Sequence, residues 1–154
     1  MTTVASRRQY IHKVSFEGRR AVCSKRLLIV DDEPRFATFV GKVAAPLGYD
    51  VEITTHGRQF QKAYRKNKPD TIVIDMVMPE IDGNELILWL VKQECDANII
   101  IITGFSPDYA VNARLLAEFK GLRSVQTLSK PVSVSRLRTI LAGSESDAEN
   151  ASNE

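Results

Sequence analysis

The sequence is poor in cysteine, has no long apolar run and is not dominated by charge of one sign. Cys23 and Cys95 are its only cysteines. Two are too few for a disulfide framework, which points to a reducing compartment. Neither sits in a CxxC or Cys/His spacing that would hold zinc. The longest apolar run, Leu86 to Val91, is far too short to span a bilayer. The N-terminus lacks the apolar stretch of a signal peptide. These absences set the expectation of a soluble, cytoplasmic protein without membrane attachment. No G-x-G-x-x-G follows the first apolar run, which excludes a dinucleotide-binding enzyme. There is no internal repeat.

What is present begins with the placement of charge. The net charge is only +2 over 154 residues. Residues 1–26 carry seven Lys/Arg against Glu17, residues 27–141 carry fourteen of each sign, and residues 142–154 carry four acids and no base. A neutral body therefore sits between a basic leader, residues 1–25, and an acidic tail, residues 142–154, whose small polar composition predicts disorder. Within the leader, Tyr10 to Phe16 alternates weakly, as a strand would. Clustered bases bind nucleic acid through phosphate, but the solvated-arm reading is favoured here and DNA is not expected as a partner.

The body, residues 26–141, alternates between apolar runs and helical patterns. Strands are expected at 26–30, 51–55, 71–75, 98–103 and 123–128. Between them, Phe36, Phe39, Val40, Val43, Ala44 and Leu47 fall at helical spacing, with Gly48 as the stop. A short helix is expected around Phe60, Ala63 and Tyr64, ending near Asn67-Lys68-Pro69. Asp82-Gly83-Asn84-Glu85 has the form of a capping box opening a helix through Lys92. Ser106-Pro107 is a cap with proline at the first helical position, and Ser133 caps a last helix through Leu141. Five strand-then-helix units imply an α/β domain with a doubly wound parallel sheet covered on both faces.

In such sheets ligands bind at the carboxyl ends of the strands. Here those ends carry Asp31 and Asp32, then Asp75, then Thr103, and finally Lys130. Three carboxylates in one cleft repel one another unless cations join them. Lys130 supplies one positive charge, and a hard, oxygen-preferring divalent ion such as Mg²⁺ would supply the rest. With both in place, Asp75 can attack a phosphoryl group to give an aspartyl phosphate. The cations would stabilise the equatorial oxygens, and Thr103 would donate a hydrogen bond to one of them. Taken singly, each residue has a plainer role. Asp31-Asp32 would be a helix cap, Asp75 and Thr103 strand-end turn residues, and Lys130 a solvated charge. Glu33 reads as a first-turn acid suited to the helix dipole rather than as a ligand. His12, His56, Cys23 and Cys95 show no catalytic pattern, and Trp89 reads as helix packing.

The stretches LLIVDDEP (27–34), IVIDMVMPEIDG (72–83), IIIITGF (99–105) and LSKP (128–131) together closely resemble the receiver domain of bacterial two-component response regulators. The resemblance covers three quarters of the chain. It implies a (βα)₅ flavodoxin-like fold with strand order 2-1-3-4-5. It implies that Asp75 is the phosphoacceptor and that a histidine kinase or phosphotransfer protein is the donor. Mg²⁺ would be held by Asp31, Asp32, Asp75 and the backbone carbonyl of Val77. Thr103 and Lys130 match the switch hydroxyl and the phosphate-pairing lysine, and the Lys130–Pro131 bond is expected to be cis. The face of the fourth helix, fifth strand and fifth helix, with Asn112, Arg114, Arg136 and Arg138, would carry output contacts or a homodimer. Receivers usually place an aromatic residue where this chain has Thr127, so the usual relay from Thr103 is in question. Val77 and Phe105 flank the expected path of attacking water, and both are apolar, which predicts slow loss of phosphate. With no effector domain expected, output would run through protein contacts. The competing readings are a receiver fold that no longer switches, and a phosphohydrolase of the haloacid-dehalogenase type. The latter needs a second Asp where this chain has Val77.

Overall fold

The computed structural model describes residues 24–104, 107–122 and 124–143. The weak strand expected in the leader, Phe105, Ser106 and the acidic tail beyond Gly143 lie outside these residues. In chain order the elements are β1 (Lys25–Val30), α1 (Pro34–Ala44), β2 (Tyr49–Thr54), α2 (Gly57–Lys66), β3 (Thr71–Asp75), α3 (Gly83–Lys92), β4 (Asn98–Thr103), α4 (Pro107–Phe119), β5 (Val125–Ser129) and α5 (Val134–Leu141). The strands form one parallel sheet in the order β2-β1-β3-β4-β5. That is the expected fold class and strand order.

Side chains alternate across each strand and so feed two separate cores. Leu28, Val30, Ile72, Ile74, Ile99 and Ile101 pack with α2 and α3 on one face. Leu27, Ile29, Val73, Ile100 and Ile102 pack with α1 and α5 on the other. Each of the three central strands is therefore apolar nearly throughout, the mark of a sheet with both faces covered. β2 is an edge strand, and its burial alternates accordingly.

Several boundaries and facings differ from expectation. β2 begins at Tyr49 rather than 51, and β5 runs Val125–Ser129 rather than 123–128. α2 ends at Lys66 with Asn67 as its C-cap, as expected, and the His56 ring caps its start: Nδ1 accepts from the Gln59 N–H at 3.3 Å. α1 buries Ala37, Val40, Val43 and Ala44, while Phe36 and Phe39 are only half-buried at the margin of that stripe. A 3-10 turn at Ala45–Leu47 follows α1, and Gly48, at φ 90°, ends it in the left-handed region. The predicted caps at Asp82 and Ser133 are present, accepting from the Glu85 and Arg136 N–H groups at 3.0 and 3.2 Å. Trp89 packs edge-on against Tyr64 at 5.3 Å, and the Arg65 guanidinium lies over its ring. The Lys130–Pro131 bond is cis.

The loop after β3 is anchored to the start of α3 through Gly83. A Cβ there would lie 2.6 Å from the Met76 sulfur and 2.7 Å from Met76 Cα. The Gly83 N–H also donates to the Met76 carbonyl at 3.2 Å. Met76 follows Asp75, so this close approach fixes the backbone beside that carboxylate. Gly83→Ala is expected to cost about 1–3 kcal/mol through overpacking, read as a lower urea midpoint with an unchanged slope; an unaltered midpoint would show that the loop gives way freely.

Candidate functional site

Strand register brings the chemistry together. Val30 pairs with Ile74, so the next residues, Asp31 and Asp75, leave the sheet at the same level. Asp75 pairs with Ile102, and Thr103 pairs with Ser129, so Thr103 and Lys130 follow on the adjoining strands. The chain crosses from one side of β1 to the other between β2 and β3, so this edge is also the point where strand order reverses.

Asp31 and Asp75 are almost wholly buried, at 1% and 5% exposure, and Thr103 is fully buried. Asp32 is exposed. One carboxylate oxygen from each of Asp31, Asp32 and Asp75 falls within 4.8 Å of the others. The backbone holds two of them: the Glu33 N–H donates to Asp31 Oδ1 at 2.8 Å, and the Val77 N–H donates to Asp75 Oδ1 at 3.2 Å. Lys130 is held in turn, its N–H donating to the Thr103 carbonyl at 2.9 Å. Its ammonium reaches Asp31 Oδ2 at 3.4 Å and Asp75 Oδ2 at 3.7 Å. Val77, whose N–H holds Asp75, is itself 43% exposed.

The electrostatics follow from burial and crowding. Burial first, and then the charge of Asp31, push the Asp75 carboxyl up to about 6, although the Val77 N–H and Lys130 pull it back. Burial likewise raises Asp31, opposed by the Glu33 N–H and by Lys130. Burial works to lower the Lys130 ammonium, but Asp31 and Asp75 together outweigh it and raise it. Three carboxylate oxygens beside one fixed cation are a donor set that suits a hard divalent ion, and among the described residues no sulfur or imidazole joins the cluster.

Every sequence-predicted side chain of the site that carries charge meets at this edge. Two residues that the sequence reading set aside or gave to the core meet there too. Glu33 was expected to serve the helix dipole; as the residue preceding α1 it instead turns its carboxylate to Lys130, 3.5 Å from the ammonium. Phe36 belongs to the apolar stripe expected of α1 and packs at the margin of that core; its ring also lies under the same ammonium, 4.4 Å from centroid to nitrogen. The available signal was position: the first turn of α1 begins where the Asp31-Asp32 strand end stops. Thr127 is half-buried on β5, paired with Ile101.

A raised carboxyl pKa fixes the sign of the pH dependence. The folded protein binds protons that the unfolded chain has already released, so stability falls as pH rises between the ordinary carboxyl range, near 4, and the folded value of about 6 for Asp75. The Lys130 shift acts only in the alkaline range. Without divalent ions, Asp75→Asn is therefore expected to be more stable than the parent at pH 8, by on the order of 1–3 kcal/mol. The gap should close toward pH 4, as followed by urea unfolding across that range. A difference independent of pH would mean that Asp75 carries no such strain.

Comparison with known proteins agrees with the geometry. The family model described as the response regulator receiver domain matches residues 27–142. The chemotaxis protein CheY of Thermotoga maritima is 30% identical over 115 residues, covering 69% of this chain and 96% of CheY. The alkaline phosphatase synthesis transcriptional regulatory protein PhoP of Bacillus subtilis is 31% identical over 86 residues, covering 56% of this chain. That match spans only 36% of PhoP. A crystal structure of a response regulator from Colwellia psychrerythraea superposes with a TM-score of 0.66 at 29% identity, covering 78% of this chain and 95% of that one. No helix among the described residues is long and apolar enough to cross a membrane. With the family model spanning both cores and every charged group of the cleft, the chain belongs to the receiver domains of two-component response regulators, which serve phosphorylation-dependent signalling.

Proposed function

We propose that this chain is a phosphorylation switch in which Asp75 accepts a phosphoryl group from the phosphohistidine of a histidine kinase or phosphotransfer protein. The observation that carries this reading is the Lys130 ammonium lying between Asp31 and Asp75 at the sheet edge, 3.4 and 3.7 Å away. An Asp75 carboxylate oxygen attacks phosphorus, the phosphorus–nitrogen bond of the donor breaks, and the imidazole leaves with the electron pair. Asp75 sits on a rigid strand end and is aimed by the Val77 N–H, so little reorganisation is needed to reach an in-line approach. Lys130 then pairs with a phosphoryl oxygen, and the buried Thr103 hydroxyl donates to another. Asp31, Asp32, Asp75 and the Val77 carbonyl would hold Mg²⁺, which when bound neutralises charge on the phosphoryl oxygens. The protein catalyses its own phosphorylation and dephosphorylation and is no enzyme toward other substrates. It works in the cytoplasm, and its output is protein binding, through the face of α4, β5 and α5 or as a homodimer, with no nucleic acid involved.

Thr127 favours a second reading, a receiver fold that binds partners without switching. A half-buried threonine offers no aromatic ring to move inward when Thr103 turns. Phosphoryl uptake separates the two. Intact mass after incubation with acetyl phosphate and Mg²⁺ is expected to rise by one phosphoryl group. That gain should vanish with EDTA and in Asp75→Asn. Uptake that persists in Asp75→Asn would remove Asp75 as acceptor. Uptake without altered partner binding would leave the non-switching reading.

The lifetime of the phosphoryl group is a separate expectation. Val77, two residues after Asp75 and exposed, has an apolar side chain that cannot orient a water. Decay after removal of the donor is expected to be slow, and Val77→Asn to accelerate it several-fold. Rapid decay of the parent protein would overturn this account.

A further inference from the structure

The Lys130 ammonium is held by more than the two buried aspartates. Its third carboxylate partner is Glu33 at 3.5 Å, and the Phe36 ring closes another side at 4.4 Å. One ammonium thus stands within ion-pair distance of three carboxylates, donating to Asp31, with an aromatic ring beneath. The partners are not equivalent. Asp31 and Asp75 belong to the acidic cluster and are buried, whereas the Glu33 side chain is 60% exposed and stands outside that cluster. Phe36 and Glu33 are themselves fixed by α1. The Phe36 N–H donates to the Glu33 carbonyl at 3.1 Å, and the ring packs beside Phe39 at 5.8 Å on the margin of the core.

We infer that Phe36 and Glu33 are positioning residues for Lys130: the ring carries the ammonium in either state, and Glu33 is the carboxylate it leaves when a phosphoryl oxygen arrives at Asp75. This rests on the phosphoryl-transfer reading above. The physical basis is a difference in directionality. A ring face attracts a cation without demanding a particular N–H direction, so the ammonium can exchange one oxygen partner for another without leaving the ring. A carboxylate does demand direction, and an exposed one is a weak competitor. Glu33 therefore delays the lysine slightly and repels an anionic donor, while Phe36 keeps the lysine within reach.

Opposite signs in two variants follow. With acetyl phosphate and Mg²⁺, Phe36→Leu, which keeps an apolar side chain against the core, is expected to take up phosphoryl about three- to ten-fold more slowly. Phe36→Tyr should restore the rate. Glu33→Gln is expected to be about two- to five-fold faster. In the same proteins without metal or donor, the ε-methylene signal of Lys130, assigned by its loss in Lys130→Arg, should lie in the shielding cone of the ring. It should move downfield in Phe36→Leu but not in Phe36→Tyr. Equal rates in all variants, or a common slowing that tracks melting temperature, would overturn the inference. If the parent protein took up no phosphoryl group, the preceding functional reading would fall. The lysine signal would then decide the inference alone: an unshifted ε-methylene in Phe36→Leu would refute it.

Discussion

The ion pairing of Lys130 with Asp31 joins positions 99 residues apart in the chain and ties the first strand to the last loop of the sheet. Most of what distinguishes the carboxyl edge from an ordinary strand edge depends on it. Asp31 and Asp75 leave adjacent strands at the same level and are both buried. Two buried carboxylates in contact with one cation are costly to desolvate, and removing the cation would leave both uncompensated. The site therefore holds energy against itself: the fold forces the acids together, and Lys130 offsets their repulsion only in part. A raised Asp75 carboxyl is the local expression of that conflict.

The two cores explain how the fold can sustain it. β1, β3 and β4 send alternate residues into separate apolar clusters on opposite faces, so these strands cannot shift register without exposing one set or the other. Register in turn sets the level at which Asp31, Asp75 and Thr103 emerge. The loops add finer control. The close packing of Gly83 on Met76 fixes the turn behind Asp75, and backbone N–H groups of Glu33 and Val77 aim the two carboxylates. Stability made in the two cores is in this way spent at the edge.

The β5 side of the sheet is built differently. β5 lies at the edge of the sheet, and only its first and fourth residues are buried. Thr127 sits half-buried there, where the family resemblance leads one to expect an aromatic ring. Among the described residues, the aromatic ring in contact with Lys130 comes instead from α1, as Phe36. Any consequence of phosphorylation that passes through Lys130 thus has a path into α1 as well as into β5.

The sequence alone determined the layers and the chemistry. Apolar runs alternating with helical spacing specify a covered parallel sheet, because burial on both faces requires strands apolar at every position. The carboxylates, the hydroxyl and the lysine were legible because each interrupts or follows such a run. Strand ends on the margins were less legible: β2 and β5 are half-exposed, so their patterns merge into the adjoining turns. Tertiary structure alone decided which polar groups share a cation. Glu33 reads as a helix acid and Phe36 as a core residue, since nothing within their own segment of sequence reveals Lys130 nearly a hundred positions away. Only the stacking of α1 against the strand that carries Asp31, with the β5 loop closing over it, puts that ring and that carboxylate against the ammonium.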